Sequence, residues 1–408
     1  MFQQTRPMPT TPFTGAVLQV VPELDTGGVE QTVVDMSAAI IKAGGRSLVA
    51  TRGGRLVDKL KRAGATVVLL AVHSKNPLSQ LKNHFALRKL IRREKVDIVH
   101  VRSRAPAMAA ISAARAEKIR SVATYHGIYN AKSALKRWYN SQMTRADMII
   151  ANSVYTRDHI LKTFPDALVE RIIAIPRGID LHRFDPEAFD VRKIMALDAE
   201  WGTEGNKTRN RFLLAARLTR WKGQTLIIEA ANLLKQQGIE DFLVLVAGDD
   251  QGRADYKAEL EKLISTYGLQ DQVRLVGHVN DMPSAYAMCQ FALAPSIEPE
   301  AFGRTAVEPQ AMQRPVLAAA HGATAETVIN GVTGWLVTPG DAVAWAEAMK
   351  TAMALDDEQR FTMGQKGRAQ VKAHFSLDQM CAATLEVYRA LLILSARQKA
   401  GPSDFLNN

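Results

Sequence analysis

Pro295-Ser296-Ile297-Glu298-Pro299-Glu300-Ala301-Phe302-Gly303-Arg304-Thr305-Ala306-Val307-Glu308-Pro309-Gln310-Ala311-Met312 follows an apolar run, Phe291 to Ala294, that reads as a buried strand. Two carboxylates, Glu300 and Glu308, bracket an Ala-Phe-Gly loop where the pattern predicts a helix start. A strand, a glycine turn and a helix start make an anion site, because the first backbone N–H groups of a helix have no internal partner. Carboxylates on either side would repel a second phosphate but accept hydrogen bonds from hydroxyls. The stretch therefore points to a ligand that carries phosphate and hydroxyls together, as a nucleotide sugar does.

Outward from this stretch the pattern repeats. Toward the amino terminus, short apolar runs at 16–21, 47–51, 66–72, 97–101, 121–124, 148–151 and 171–175 alternate with helical patterns at 29–43, 81–94, 105–116 and 154–163. Most runs are continuous and rich in Val, Ile and Leu, which suits strands covered on both faces of a parallel sheet. In the second half the runs are 211–216, 242–247, 273–276, 291–294, 316–319 and 335–337. The helical patterns there are 223–237, 253–267, 303–313 and 341–354. Two doubly wound α/β domains are predicted, with ligands in a central cleft at the carboxyl ends of the strands. The boundaries read as a disordered lead-in at 1–14, a first domain at 15–185 and a linker with an irregular entry segment at 186–210. A second domain follows at 211–375 and a helix at 376–399. The linker reading rests on Pro186, Gly202, Gly205 and weak periodicity.

Composition narrows the class. At 408 residues two domains are expected. Cys289 and Cys381 make neither a disulfide framework nor a metal motif, which fits a reducing, cytoplasmic compartment. No apolar run approaches the roughly 20 residues of a membrane span, and residues 1–14 lack the apolar core of a signal peptide. The net charge of +11 is uneven: residues 1–190 hold 29 Lys+Arg against 16 Asp+Glu, a net of +13, and the remainder holds 23 against 25, a net of −2. The basic half is expected to meet something acidic. No reader module for nucleic acid is visible.

Further motifs sit at predicted strand ends. Gly27-Gly28 follows the first strand and would allow positive φ and close backbone approach; the dinucleotide fingerprint is absent. His100, Arg102 and Arg104 close another strand, with His100 read as core. Thr124-Tyr125-His126-Gly127 places a histidine where substrate would sit. Arg217 and Lys222, five apart around a strand–helix turn, could converge on a diphosphate, the arginine as a planar fork and the lysine as a compact charge. Ala247-Gly248-Asp249-Asp250 reads by default as a cap or turn, and no metal set is expected.

Taken in order, Gly27-Gly28-Val29-Glu30, Tyr125-His126-Gly127, Ala151-Asn152-Ser153, Ile175 to Asp180, Arg217 with Lys222-Gly223, Ala247-Gly248-Asp249 and the Glu300/Glu308 pair resemble the retaining glycosyltransferases of family 4, with the GT-B fold. The resemblance covers about residues 16–395. It implies that Gly28 approaches the donor phosphate or the acceptor, and that His126 hydrogen-bonds the transferring sugar. Arg217 and Lys222 would neutralise the diphosphate, and Glu300 would bind sugar hydroxyls. The Phe302–Gly303 backbone would meet the phosphates, and Glu308 the ribose hydroxyls. Arg177 and Arg102 depart from the family pattern, where Asn and His are common, and both add charge. With Arg104 and Lys132 they form the expected acceptor-binding set.

The implied reaction moves a hexose from a UDP- or GDP-sugar, GDP-mannose first, without a metal and with retained configuration. Lys132, Lys136, Arg137, Trp138 and Tyr139 mix charge and aromatics as expected at an anionic membrane surface. The pattern is also similar to bacterial enzymes that extend the lipopolysaccharide core. That likeness implies an acidic glycolipid acceptor and a peripheral position on the cytoplasmic face of the inner membrane. A nucleotide-sugar 2-epimerase and a non-enzymatic binder of anionic lipid or nucleic acid are the competing readings.

Overall fold

The structure is a computed structural model that describes residues 12–25, 27–129, 133–188, 190–204 and 210–400, with side chains to 396. The chain divides into two compact units, one built from residues up to 178 together with those from 377 onward, the other from 179–376.

The first unit holds seven parallel strands: β1 (Ala16–Val20), β2 (Arg46–Thr51), β3 (Thr66–Leu69), β4 (Ile98–Val101), β5 (Arg120–Tyr125), β6 (Met148–Ala151) and β7 (Ile172–Ala174). Their order across the sheet is β3-β2-β1-β4-β5-β6-β7. β1 and β4 are buried at every position, as continuous apolar strands between two helix layers must be. The strand order reverses beside β1, where β4 is its other neighbour. One helix layer includes Pro77–Glu94 and Arg104–Ala116, whose Leu87, Leu90, Ala107 and Ala110 join the strands in one core. On the other side the terminal helix, Leu377–Ala400, packs Leu385, Tyr388 and Leu391 against Val17, Ile98, Val122 and Ile150.

The expected lead-in ends earlier than residue 14. Phe13 is 1% exposed, donates its N–H to the Ala43 carbonyl at 2.8 Å and faces the Tyr388 ring at 6.0 Å. An aromatic side chain that can be buried completely is worth about 1.5–3 kcal/mol, so this residue joins the core although its neighbours look like a tail.

The second unit holds β8 (Asn210–Ala215), β9 (Phe242–Ala247), β10 (Val273–Gly277), β11 (Phe291–Ala294), β12 (Val316–Ala319) and β13 (Gly334–Val337), ordered β10-β9-β8-β11-β12-β13 and all parallel. Here the reversal lies between β8 and β11. Phe212 and Phe291 are paired in register across it and stack at 5.1 Å.

The stretch 186–210, expected as linker, differs from that expectation. It carries a helix, Val191–Glu200, whose N-cap Asp190 accepts from the Arg192 N–H at 2.9 Å. A buried ion pair, Asp198–Arg211 at 2.9 Å, ties the helix to β8. Phe184 and Trp201 enter the second unit's core. Residues 179–185, expected in the first domain, also belong here, because Ile179 donates to the Phe375 carbonyl at 2.8 Å. Mixed charge hid this packing: Ile194, Leu197 and Trp201 keep a helical spacing, but they are few and set among charged residues.

Candidate active site

In the second unit the candidate residues come from two loops at the carboxyl ends of β8 and β11. After β8, Arg217 leads through a short turn, Arg220–Lys222, to Gly223 at the mouth of the helix Gln224–Gln236. Gly223 has φ +78°, and a Cβ there would lie 2.1 Å from the Pro295 carbonyl oxygen. Only glycine lets the two loops touch. Across the same contact the Ile297 N–H donates to the Trp221 carbonyl at 2.7 Å.

This approach brings Lys222 Nζ onto Glu300 Oε1 as a close ion pair, with both side chains largely buried. Ser296 donates its hydroxyl to the same oxygen at 2.6 Å, and Lys222 also lies over the Trp221 ring at 4.2 Å. The pair is therefore held at both ends, the carboxylate by Ser296 and the ammonium by Trp221. Arg217 stays exposed, donating to Gln251 at 3.3 Å. It leaves the same turn as Lys222 and is open to a ligand.

Gly303, at φ +80°, opens the helix Arg304–Ala311 as the sequence predicts. Its Cβ would meet the Thr324 methyl at 2.8 Å. Phe302 turns its ring inward, 3% exposed and edge-on to Phe375 at 5.9 Å, so only its backbone is offered at the helix mouth. Glu308 is 9% exposed and accepts from Arg304 Nε at 2.8 Å.

Several supporting residues escaped the sequence reading. Gly322 lies so near that a Cβ would be 2.8 Å from the Glu300 N and O. The Ala323 N–H donates to the Glu300 carbonyl at 3.0 Å. His321 Nε2 bonds the Ser296 carbonyl at 2.8 Å. The His321-Gly322-Ala323 run was the available signal, since a glycine straight after a buried strand marks close backbone approach. Asp249 and Asp250 accept from the N–H groups two residues on, Gln251 at 2.8 Å and Gly252 at 2.9 Å, which is a turn.

In the first unit the carboxyl ends of β4, β5, β6 and β7 bring together Arg102, His126, Asn152 and Arg177 around a small cavity. Arg177 Nη2 donates to His126 Nδ1 at 2.9 Å. Burial, then the charges of Arg177 and Arg102, hold the His126 pKa well below its ordinary value, so the ring is neutral. Arg102, expected in the acceptor-binding set, lines this cavity at the carboxyl end of β4; it is 2% exposed and donates twice to Gln19 Oε1, at 2.9 and 2.6 Å. His100 is core, bonded to Tyr388 and Thr124.

The remaining first-unit candidates do not line that cavity. Arg104 stacks on Tyr129 at 4.1 Å and donates to Asn140 at 3.1 Å. Gly28 is the first residue of the helix Gly28–Lys42, and its carbonyl accepts from the Thr32 hydroxyl at 2.7 Å. The positive φ expected for the glycine pair is not adopted at Gly27, which is extended at φ −176°. Lys132 lies outside the described residues.

Comparison with known proteins adds the following. Residues 26–183 match the family profile described as Glycosyltransferase Family 4, and 199–370 match Glycosyl transferases group 1. A crystal structure of a glycosyltransferase from Rickettsia africae is 31% identical, covering 93% of this chain and 99% of that one, with a TM-score of 0.86. The D-inositol 3-phosphate glycosyltransferase of Salinispora arenicola is 30% identical over 60% of this chain and 55% of that protein. The chain thus spans little more than half the length of such curated relatives. The GDP-mannose-dependent alpha-(1-6)-phosphatidylinositol monomannoside mannosyltransferase of Mycolicibacterium smegmatis is 28% identical over 77% of this chain and 80% of that protein.

Proposed function

The chain belongs to the family 4 glycosyltransferases of the GT-B fold, and we propose that it moves a hexose from a nucleotide-diphosphate sugar to an acidic glycolipid or oligosaccharide, retaining configuration at the anomeric carbon. The observation that carries this reading is the Lys222–Glu300 pair beside the left-handed Gly303 at a helix N-terminus. It sets a cation, carboxylates able to accept from hydroxyls and the mouth of a helix around one loop.

In this reading Lys222 and Arg217 stabilise the charge that builds on the leaving diphosphate. Glu300 holds sugar hydroxyls and Glu308 the ribose hydroxyls. The leaving phosphate takes the acceptor's proton on the same face, which retains configuration. Neutral His126, whose Nδ1 already accepts from Arg177, has its Nε2–H left to donate to the substrate. The reaction needs no metal, so added EDTA leaves turnover unchanged. GDP-mannose is the first candidate donor, and the Mycolicibacterium relative's use of GDP-mannose favours it. Relatives named for inositol phosphate and phosphatidylinositol mannoside support an acceptor that carries acid, and the lipopolysaccharide core is the acceptor proposed here.

Peripheral attachment to the anionic cytoplasmic face of a membrane has its own support. The helix Pro77–Glu94 exposes Leu78, Leu81 and Phe85 beside Lys82 and Lys89, and the helix Ala134–Ser141 exposes Leu135 and Trp138 beside Lys136 and Arg137. Apolar and basic side chains together on exposed helices suit an anionic interface. No described helix is long and apolar enough to cross a membrane.

The test of the reaction is product analysis with UDP- and GDP-sugars and a phosphorylated or acidic glycolipid. Acceptor-dependent release of nucleoside diphosphate is expected. An isomerised donor with no transfer would overturn the reading.

A further inference from the structure

We propose that the cavity at the carboxyl ends of β4 to β7 is a binding site for one small acidic group, a carboxylate or a phosphate, borne by the acceptor. This rests on the transferase reading above and adds the group recognised and the residues that recognise it.

The cavity has a volume of about 20 Å³ and is lined by Arg102, Thr124, His126, Asn152 and Arg177, with Met380 from the terminal helix closing one side. A single water needs on the order of 10–15 Å³ on this measure. The space therefore suits the oxygens of one acidic substituent and is far too small for a sugar ring. Its place at the carboxyl ends of parallel strands is where open α/β sheets take ligands.

Its chemistry is one-sided. Arg102 is 2% exposed, and its guanidinium donates to the neutral amide of Gln19, with the Asp35 carboxylate acting on it only through space. Among the described residues no carboxylate forms an ion pair with it. Holding a buried cation without a contacting counter-charge is unfavourable. Because Arg177 donates to His126 Nδ1, the neutral ring carries its proton on Nε2. That N–H is buried with no partner. Asn152 is 2% exposed, and both atoms of its amide are buried without partners.

Two guanidiniums, an imidazole N–H and an amide thus border a space with no carboxylate among its lining residues. Water would satisfy the donors singly, whereas one anion can accept from several of them at once, and charge-assisted hydrogen bonds from guanidinium are the strong kind. Burial and the two neighbouring arginines keep His126 neutral, so it serves as a donor rather than a third cation.

The test uses calorimetric titration of the full chain with glucuronic acid, glucose 6-phosphate, neutral glucose and inorganic phosphate. At least one sugar acid is expected to bind about tenfold or more tighter than glucose, a difference of about 1.4 kcal/mol. Arg177→Ala should remove about tenfold of that preference and Asn152→Ala a smaller part, while the Kd for UDP or GDP stays at the parent value. Arg102→Gln is a further variant; should it not fold, the other two carry the test. Preference for glucuronic acid assigns the group as a carboxylate, and preference for glucose 6-phosphate as a phosphate. Equal binding of acidic and neutral sugars, or parent-like acid binding by both Arg177→Ala and Asn152→Ala, would overturn the site. Inorganic phosphate bound as tightly as glucose 6-phosphate would overturn its assignment to the acceptor. A chain that binds the acid but neither nucleoside diphosphate nor nucleotide sugar keeps the site and loses the transferase reading.

Discussion

Lys222 and Glu300 lie 78 residues apart, yet their side chains form one largely buried ion pair that locks the loop after β8 to the loop after β11. Ser296 holds the carboxylate and Trp221 lies beneath the ammonium. Two candidate donor residues therefore also bear load in the fold.

Replacing Lys222 by Ala leaves the Glu300 carboxylate partly buried and unpaired. We expect a stability loss of about 2–4 kcal/mol in urea unfolding, together with a fall of orders of magnitude in kcat. The double variant Lys222→Met/Glu300→Gln should recover much of the stability and none of the turnover. Parent-like turnover by Lys222→Ala would remove the diphosphate role.

Gly223→Ala should cost more than Gly303→Ala. Both positions are left-handed, at φ +78° and +80°, which alone costs a side chain about 1–3 kcal/mol. The added methyl at 223 meets a backbone carbonyl at 2.1 Å, whereas at 303 it meets a side-chain methyl at the longer distance of 2.8 Å. Thermal unfolding ranks the two, and the nucleoside diphosphate Kd of Gly223→Ala should rise as the loops part. An equal cost at both positions would count against the loop contact.

Acid should weaken the native state before any carboxylate titrates. His100 is fully buried between Tyr388 and Thr124, and burial, then Arg102 and His126, hold its pKa well below 6.5. The unfolded chain takes up a proton near pH 6.5 that the native chain refuses. Stability is thus unaffected above that pH and falls below it, by about 1.4 kcal/mol per pH unit for each such histidine. His126 adds to the same slope. Unfolding free energy measured between pH 7 and 5 checks this, and His100→Gln should show a shallower slope. The same shift predicts that kcat/KM shows no inflection from His126 near pH 6.5.

The exposed apolar residues Leu78, Leu81 and Phe85 should matter only at a lipid surface. Changing all three to Ser is expected to leave thermal stability nearly unchanged, within about 0.5 kcal/mol per site. Sedimentation with anionic vesicles at low salt should fall several-fold. Unchanged sedimentation of the triple variant would move the contact elsewhere, and failure of the parent to sediment would remove the membrane proposal.

Much of the architecture was readable because buried parallel strands announce themselves. Runs such as Phe242 to Ala247 are apolar at every position, and the paired helices keep a helical period. Short helices were less legible. The helix Ala134–Ser141 is almost wholly exposed until its last turn, and Val191–Glu200 has no fully buried residue. Both are short, at 8 and 10 residues, so a helical period has little length over which to show itself.

Sequence alone determined the α/β class, the two-part organisation, the glycine-bounded loops and the nomination of Lys222, Glu300, His126 and Arg177, because each follows from local pattern and residue chemistry. Only tertiary structure decided that Lys222 meets Glu300, that Arg102 is buried on Gln19, and that Asn152 faces a cavity with two arginines. Those contacts join residues 25 to more than 80 positions apart, and no local preference of the chain encodes a distance of that kind. Parallel strand pairing encodes it instead, by setting the ends of β4 to β7 side by side.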